Sequence, residues 1–130
     1  MGQQQLLILV LGFMIATVAL IGGTEYLDAV DQQNERDVIV TQINNLVGDA
    51  IQYKIRPVTL GGGAGSMKDF QPQRNKSETD RFSISASGYS RRIVFYGTSK
   101  TVFGINGTDP VQVMVTYDSD TRKDSVETIN

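Results

Sequence analysis

The pattern of apolar and polar positions divides this chain into three stretches with different periods. Residues 1–24 carry no charged side chain, and residues 6–21 are apolar except for Gly12 and Thr17. A second pattern follows without an intervening linker. From Ile39, apolar residues recur at Ile43, Leu46, Val47 and Ala50, which is one face of a helix, and Ile51 and Ile55 extend the stripe. Arg56 precedes Pro57, and a residue before proline is pushed out of the helical region, so this helix is expected to stop there. Between the two patterns, residues 31–37 are wholly polar and suit a solvated helix. The prediction is one very long helix. Its weak point is Gly22 and Gly23, which cost about 1 kcal/mol each in a helix interior and are expected to give a bend or a locally melted turn.

After Pro57 the composition shifts to glycine and small polar residues, which fits a mobile connection, and the polar stretch 68–80 prolongs it. From Phe82 the period drops to two. Phe82, Ile84 and Ala86 alternate with serines, residues 93–96 form a short apolar run, and Val111, Val113, Val115 and Tyr117 alternate with Gln112, Met114 and Thr116. Turn residues are expected at 87–88, 97–99, 106–110 and 118–120, close enough together to favour hairpins. Four or five short antiparallel strands have one face to bury, and the amphipathic half of the helix is the available partner. The expected fold is therefore α+β, a long N-terminal helix packed on a small antiparallel sheet. About 90 residues outside the apolar segment suffice for one small domain. With no Cys, that domain cannot lean on disulfides.

An apolar run of this length is a signal core, a membrane helix or an assembly surface, because water penalises so much contiguous apolar area. At about 1.5 Å per residue, the run with its Gln and Gly flanks spans a hydrocarbon core of roughly 30 Å. Its Leu, Ile, Val and Phe residues, at roughly −0.3 to −0.6 kcal/mol each, favour insertion by a few kcal/mol. An ordinary cleaved signal would need a basic start and a small-x-small site; Met1 and Gly2 bring no Lys or Arg, which first appear at Arg36. The segment is expected to stay in the protein.

Candidate chemistry is sparse. There is no His and no Cys, which removes the commonest general base, the thiol nucleophile and most zinc sites, and no catalytic role, cofactor or metal is expected. Asp118, Asp120 and Asp124 lack the glycine and terminal Glu of a calcium loop and read as solvated turn residues. The glycine loop lacks the Lys-Ser/Thr ending of a phosphate cradle. Asn75 and Asn106 begin glycosylation sequons, the second doubling as a turn. Arg91 and Arg92 lie near Tyr89, Phe95 and Tyr96, but a net charge of −2 and the absence of a basic stripe argue against nucleic acid.

A glycine at the end of a minimal leader, an apolar segment running into an amphipathic helix, a glycine loop and a β-rich head together resemble the type IV pilin and pilin-like family over the whole chain. The residues carrying the resemblance are Gly2 followed by Gln3, Gln4, Gln5, Leu6, Leu7, Ile8, Leu9, Val10 and Leu11. The Gly-Gln start is similar to the short class III signals of archaeal and some bacterial pilins. The resemblance implies a leader of residues 1–2, cut by a prepilin peptidase between Gly2 and Gln3. It further implies a hydrophobic helix over 3–23, an amphipathic helix over 24–56 and a loop and β head over 57–130. In the membrane before assembly, and then in a filament core among copies of itself, the helix would bury Leu6, Leu7, Ile8, Leu9, Val10, Leu11, Phe13, Met14, Ile15, Val18, Leu20 and Ile21.

The chain departs from the family at one point. The fifth residue counted from Gln3 is Leu7, where many members carry a Glu thought to neutralise a neighbour's amino terminus. The amides of Gln3, Gln4 and Gln5 are expected to hydrogen-bond that amine instead, because a buried charge without a partner is costly. A rival cut after Gly12 would leave too short an apolar stretch to span or form a core. Gly12, Ala16, Thr17 and Ala19 are small enough for close helix approach. The expected role is a structural pilin subunit, assembled by pilus machinery into an extracellular, cell-surface filament of the kind used in adhesion, and held in the cytoplasmic membrane beforehand. The alternative is a monomeric surface protein anchored by one uncleaved helix, with a β-rich binding head.

Overall fold

A computed structural model of the chain describes residues 2–104 and 107–129. One helix, α1, runs from Gly2 to Ile55, followed by a single 3-10 turn over Val58–Leu60 and a short helix, α2, over Arg74–Ser77. Four strands complete the chain: β1 (Phe82–Gly88), β2 (Arg92–Phe103), β3 (Pro110–Asp118) and β4 (Lys123–Thr128). They form one antiparallel sheet in the order β1-β2-β3-β4, each strand hydrogen-bonded to the next in sequence. The fold is α+β.

The second half of α1 lies across β2 and β3. Its buried side chains include Ile39, Ile43, Leu46, Val47 and Ala50, the stripe expected from the period. Against them the sheet places Ile84, Ile93, Phe95, Val113 and Val115, with Phe95 completely enclosed. Each such large side chain contributes roughly 1.5–3 kcal/mol by leaving water. Ile55, expected to extend the stripe, is 76% exposed, because five residues beyond Ala50 it stands about 140° round the helix, off the face that meets the sheet.

Several expectations are corrected. Gly22 and Gly23 stay helical, so there is no melted turn. Helix propagation is cooperative, and two glycines costing about 1 kcal/mol each do not interrupt hydrogen bonding that continues on both sides. Residues 97–99 form no turn but lie inside β2. Gly97 faces α1, and a Cβ there would collide with the Ile39 side chain, so the glycine lets the helix settle closely on the sheet. Beyond it the β2–β3 register shifts between Thr98 and Phe103.

The glycine stretch after Pro57 is a hydrogen-bonded cap rather than a loose connection. The amides of Gly63, Ala64 and Gly65 donate to the carbonyls of Tyr53, Arg56 and Lys54 at 2.8, 3.1 and 2.7 Å, satisfying the end of the helix. Gly61 sits in the left-handed region at φ 76°, and a Cβ at Gly62 would strike the Arg56 carbonyl. Met67 and, within the polar stretch beyond it, Phe70 belong to the core, the latter edge-on to Tyr53 and Phe95 at 5.5 and 6.4 Å. β4 carries no apolar alternation, and its whole length is exposed. A helix about 10 Å across covers two strands spaced about 4.8 Å apart, which leaves the fourth strand without a lid.

Candidate assembly surface and the latch at its base

Among the described residues nothing packs over the most apolar window of α1, no part of which is buried. Leu6, Leu7, Ile8, Leu9, Val10 and Leu11 are exposed, and so are Phe13, Met14, Ile15, Val18, Leu20 and Ile21, with Phe13 70% exposed. These side chains surround the helix on every side, unlike the one-sided stripe of residues 39–50, and an all-round apolar helix requires an apolar environment on all sides. The helix is long and apolar enough to cross a membrane.

The threonine hydroxyls in this half are satisfied locally. The Thr17 hydroxyl donates to the carbonyls of Phe13 (2.7 Å) and Met14 (3.0 Å), and that of Thr24 donates to Ile21 (2.9 Å). Neither hydroxyl needs water, which suits both lipid and a dry helix bundle. Gly12, Ala16, Ala19 and Gly23 fall at i, i+4, i+7 and i+11, one narrow stripe of small residues. A Cβ on Gly12, Gly22 or Gly23 would meet nothing within 4 Å, so no contact inside the molecule requires glycine there. Gln3, Gln4 and Gln5 lie exposed in the first turns of the helix, and no acidic residue occupies its first turn. Met1 of the expected leader lies outside the described residues.

Where the bare helix enters the head, an ionic latch holds it. Glu35 belongs to the stretch expected to be solvated, yet it is 1% exposed. It stands four residues before Ile39, so the helical period places it on the core face. Its Oε2 accepts from Arg81 Nη2 at 2.6 Å and its Oε1 from the Ser99 hydroxyl at 3.1 Å. Ser99 Oγ in turn accepts from the amides of Thr101 and Val102 at 3.2 and 3.0 Å, where β2 departs from its register with β3. One carboxylate thus ties α1, the residue before β1 and the irregular end of β2 together. Its signal in the sequence was its spacing from Ile39, outweighed by its charge.

The remaining candidates are occupied within the head. Arg91 pairs with Asp120 at 3.3 Å, and the Arg92 guanidinium lies 5.2 Å from the centre of the Tyr89 ring. Asp118 Oδ1 accepts from the Asp120 amide at 2.9 Å, closing the turn into β4. Among the described residues no three carboxylates gather as metal ligands. Asn75 is exposed on α2, while Ser77 of the same sequon is buried; Asn106 lies outside the described residues. Comparison with protein-family models, curated proteins and solved structures returned no match, so the geometry of the chain is what bears on its function.

Proposed function

We propose that this chain is a structural subunit that polymerises through its N-terminal helix into an extracellular, type IV pilus-like filament. A prepilin peptidase would cut between Gly2 and Gln3, and the cytoplasmic membrane would hold the apolar helix until assembly machinery extracts it. The observation that carries this reading is the continuity of α1, whose bare apolar half and core-packed half are one uninterrupted helix from Gly2 to Ile55. A membrane anchor alone does not need to be rigidly continuous with the core of its head. A filament spine does, because pull on the apolar half must pass into the head.

The energetics agree. Moving an apolar helix from lipid into a bundle of its own copies exchanges one apolar surrounding for another, so close packing along the stripe of Gly12, Ala16, Ala19 and Gly23 decides whether extraction is offset. In water the same surface would cost roughly 1.5–3 kcal/mol per large side chain, which makes an isolated soluble subunit untenable.

The test is the mature amino terminus together with fractionation. Gln3 as first residue, with the protein in sheared extracellular fibres, is the expected result. Intact Met1 in a membrane fraction without fibres would overturn it in favour of a monomeric anchored protein with a β-rich head.

A further inference from the structure

If helix packing in the core nearly balances extraction from lipid, the heads must contribute to the order of the filament, and their two ends are built differently. The end facing the bare helix holds an acidic notch. Asp28, Asp31 and Gln32 of α1 form one wall and residues 101–103 at the end of β2 the other, enclosing about 310 Å³. Asp28 and Asp31 are exposed and make no ion pair among the described residues. Phe103, which lines the notch, is 57% exposed, and Leu27, one helical turn before Asp31 on α1, is 60% exposed. No Lys or Arg is among the described residues that line the notch.

The opposite end has the complementary character. Arg56 and Lys68 are exposed there and lack ion-pair partners among the described residues. Val58 and Leu60 beside them are each 69% exposed. The backbone of Arg56 is held on both sides, its amide donating to Gln52 (3.0 Å) and its carbonyl accepting from Ala64 (3.1 Å). The glycine cap therefore fixes the point on the backbone from which this exposed cation projects, next to Val58 and Leu60. Asp28 lies in α1 and Arg56 directly follows its last residue, Ile55, so at 1.5 Å per residue the two stand about 40 Å apart and cannot meet within one molecule.

We infer that copies of this chain associate head to tail, Arg56 of one copy entering the acidic notch of the next while Val58 and Leu60 cover Phe103 and Leu27. A guanidinium suits this notch, because its fork can engage Asp28 and Asp31 while its face lies on the Phe103 ring. Two different surfaces meeting in this way form a heterologous contact, which generates an open array when the rotation does not close. The contact rests on the filament reading and supplies its direction.

The experiment is charge exchange in cells that make wild-type fibres. The pair D28K/D31K should cut sheared fibre yield at least tenfold, R56E/K68E should do the same, and the four substitutions together should restore yield to within about threefold of wild type. All four positions are exposed, and circular dichroism of each variant checks that the head is folded. Raising NaCl to 1 M, where screening falls to about 3 Å, should release subunits from wild-type fibres and not from a core-only polymer. Fibres of normal yield from either pair alone, or no recovery in the quadruple variant, would overturn the contact while leaving the filament reading intact. Wild-type protein that retains Met1 and forms no fibres would instead remove both.

Discussion

Removing Arg81 should destabilise the head more than neutralising the carboxylate it pairs with, although Arg81 is at the surface and Glu35 is in the core. Glu35 is 1% exposed, and Arg81→Ala removes its ion-pair partner and leaves the Ser99 hydroxyl as its remaining partner among the described residues. Breaking a fully buried pair in this way costs about 3–5 kcal/mol. The Arg81 side chain is 57% exposed, so solvent already screens part of the attraction, and about 2–3 kcal/mol is the expected loss. Glu35→Gln keeps the shape and one acceptor for Ser99 or Arg81. It exchanges an ion pair for a hydrogen bond from a charged donor to a neutral acceptor, about 1 kcal/mol. In a domain of this size, each kcal/mol moves the melting temperature by about 4–8 °C, which puts Arg81→Ala about 15 °C below wild type and Glu35→Gln about 6 °C below.

The measurement is near-ultraviolet circular dichroism of the full chain in detergent micelles, because the tyrosines report on the head while the apolar helix stays folded in detergent. Glu35→Gln combined with Arg81→Ala completes a double-mutant cycle and should cost about 1 kcal/mol less than the sum of the single losses, because either change alone already breaks the ion pair. An Arg81→Ala variant melting within about 3 °C of wild type, or above Glu35→Gln, would refute the latch.

Two glycines with opposite surroundings should respond in opposite directions. Gly97→Val drives a side chain into Ile39 and should cost about 2–3 kcal/mol, whereas Gly48→Ala, whose Cβ meets nothing within 4 Å, should gain about 1 kcal/mol in the same urea titration. Equal effects would show that α1 does not sit closely on β2 at Gly97. Gly22→Ala with Gly23→Ala should slow amide hydrogen exchange around residues 20–26 in micelles, since each substitution favours the helix by about 1 kcal/mol without a clash; unchanged exchange would count against the unbroken helix seen there.

The long helix, its end before Pro57 and its buried stripe were legible in the sequence because they depend on local rules. Apolar residues spaced at 3.6 and a proline that forbids its predecessor the helical region act over a turn or two of chain, and Ile39, Ile43, Leu46, Val47 and Ala50 obeyed them. The alternation in Phe82–Gly88 and Pro110–Asp118 was readable for the same reason, each strand having one face toward the helix. β4 was not, because it lies beyond the helix and so has no buried face to mark it.

The sequence by itself determined that an uncharged apolar segment leads into an amphipathic helix, and therefore that one end of this protein must leave water. Only the tertiary structure decided the meaning of residues whose partners are distant in the chain. Gly97 looks like a turn until Ile39 is placed over it, and Glu35 looks solvated until Arg81 and Ser99 arrive from positions 46 and 64 residues away. The glycines after Pro57 look loose until their amides close the end of α1. Hydrophobic periodicity is a property of neighbours along one element, whereas a buried charge, a close approach or a cap is settled by what the fold brings against it.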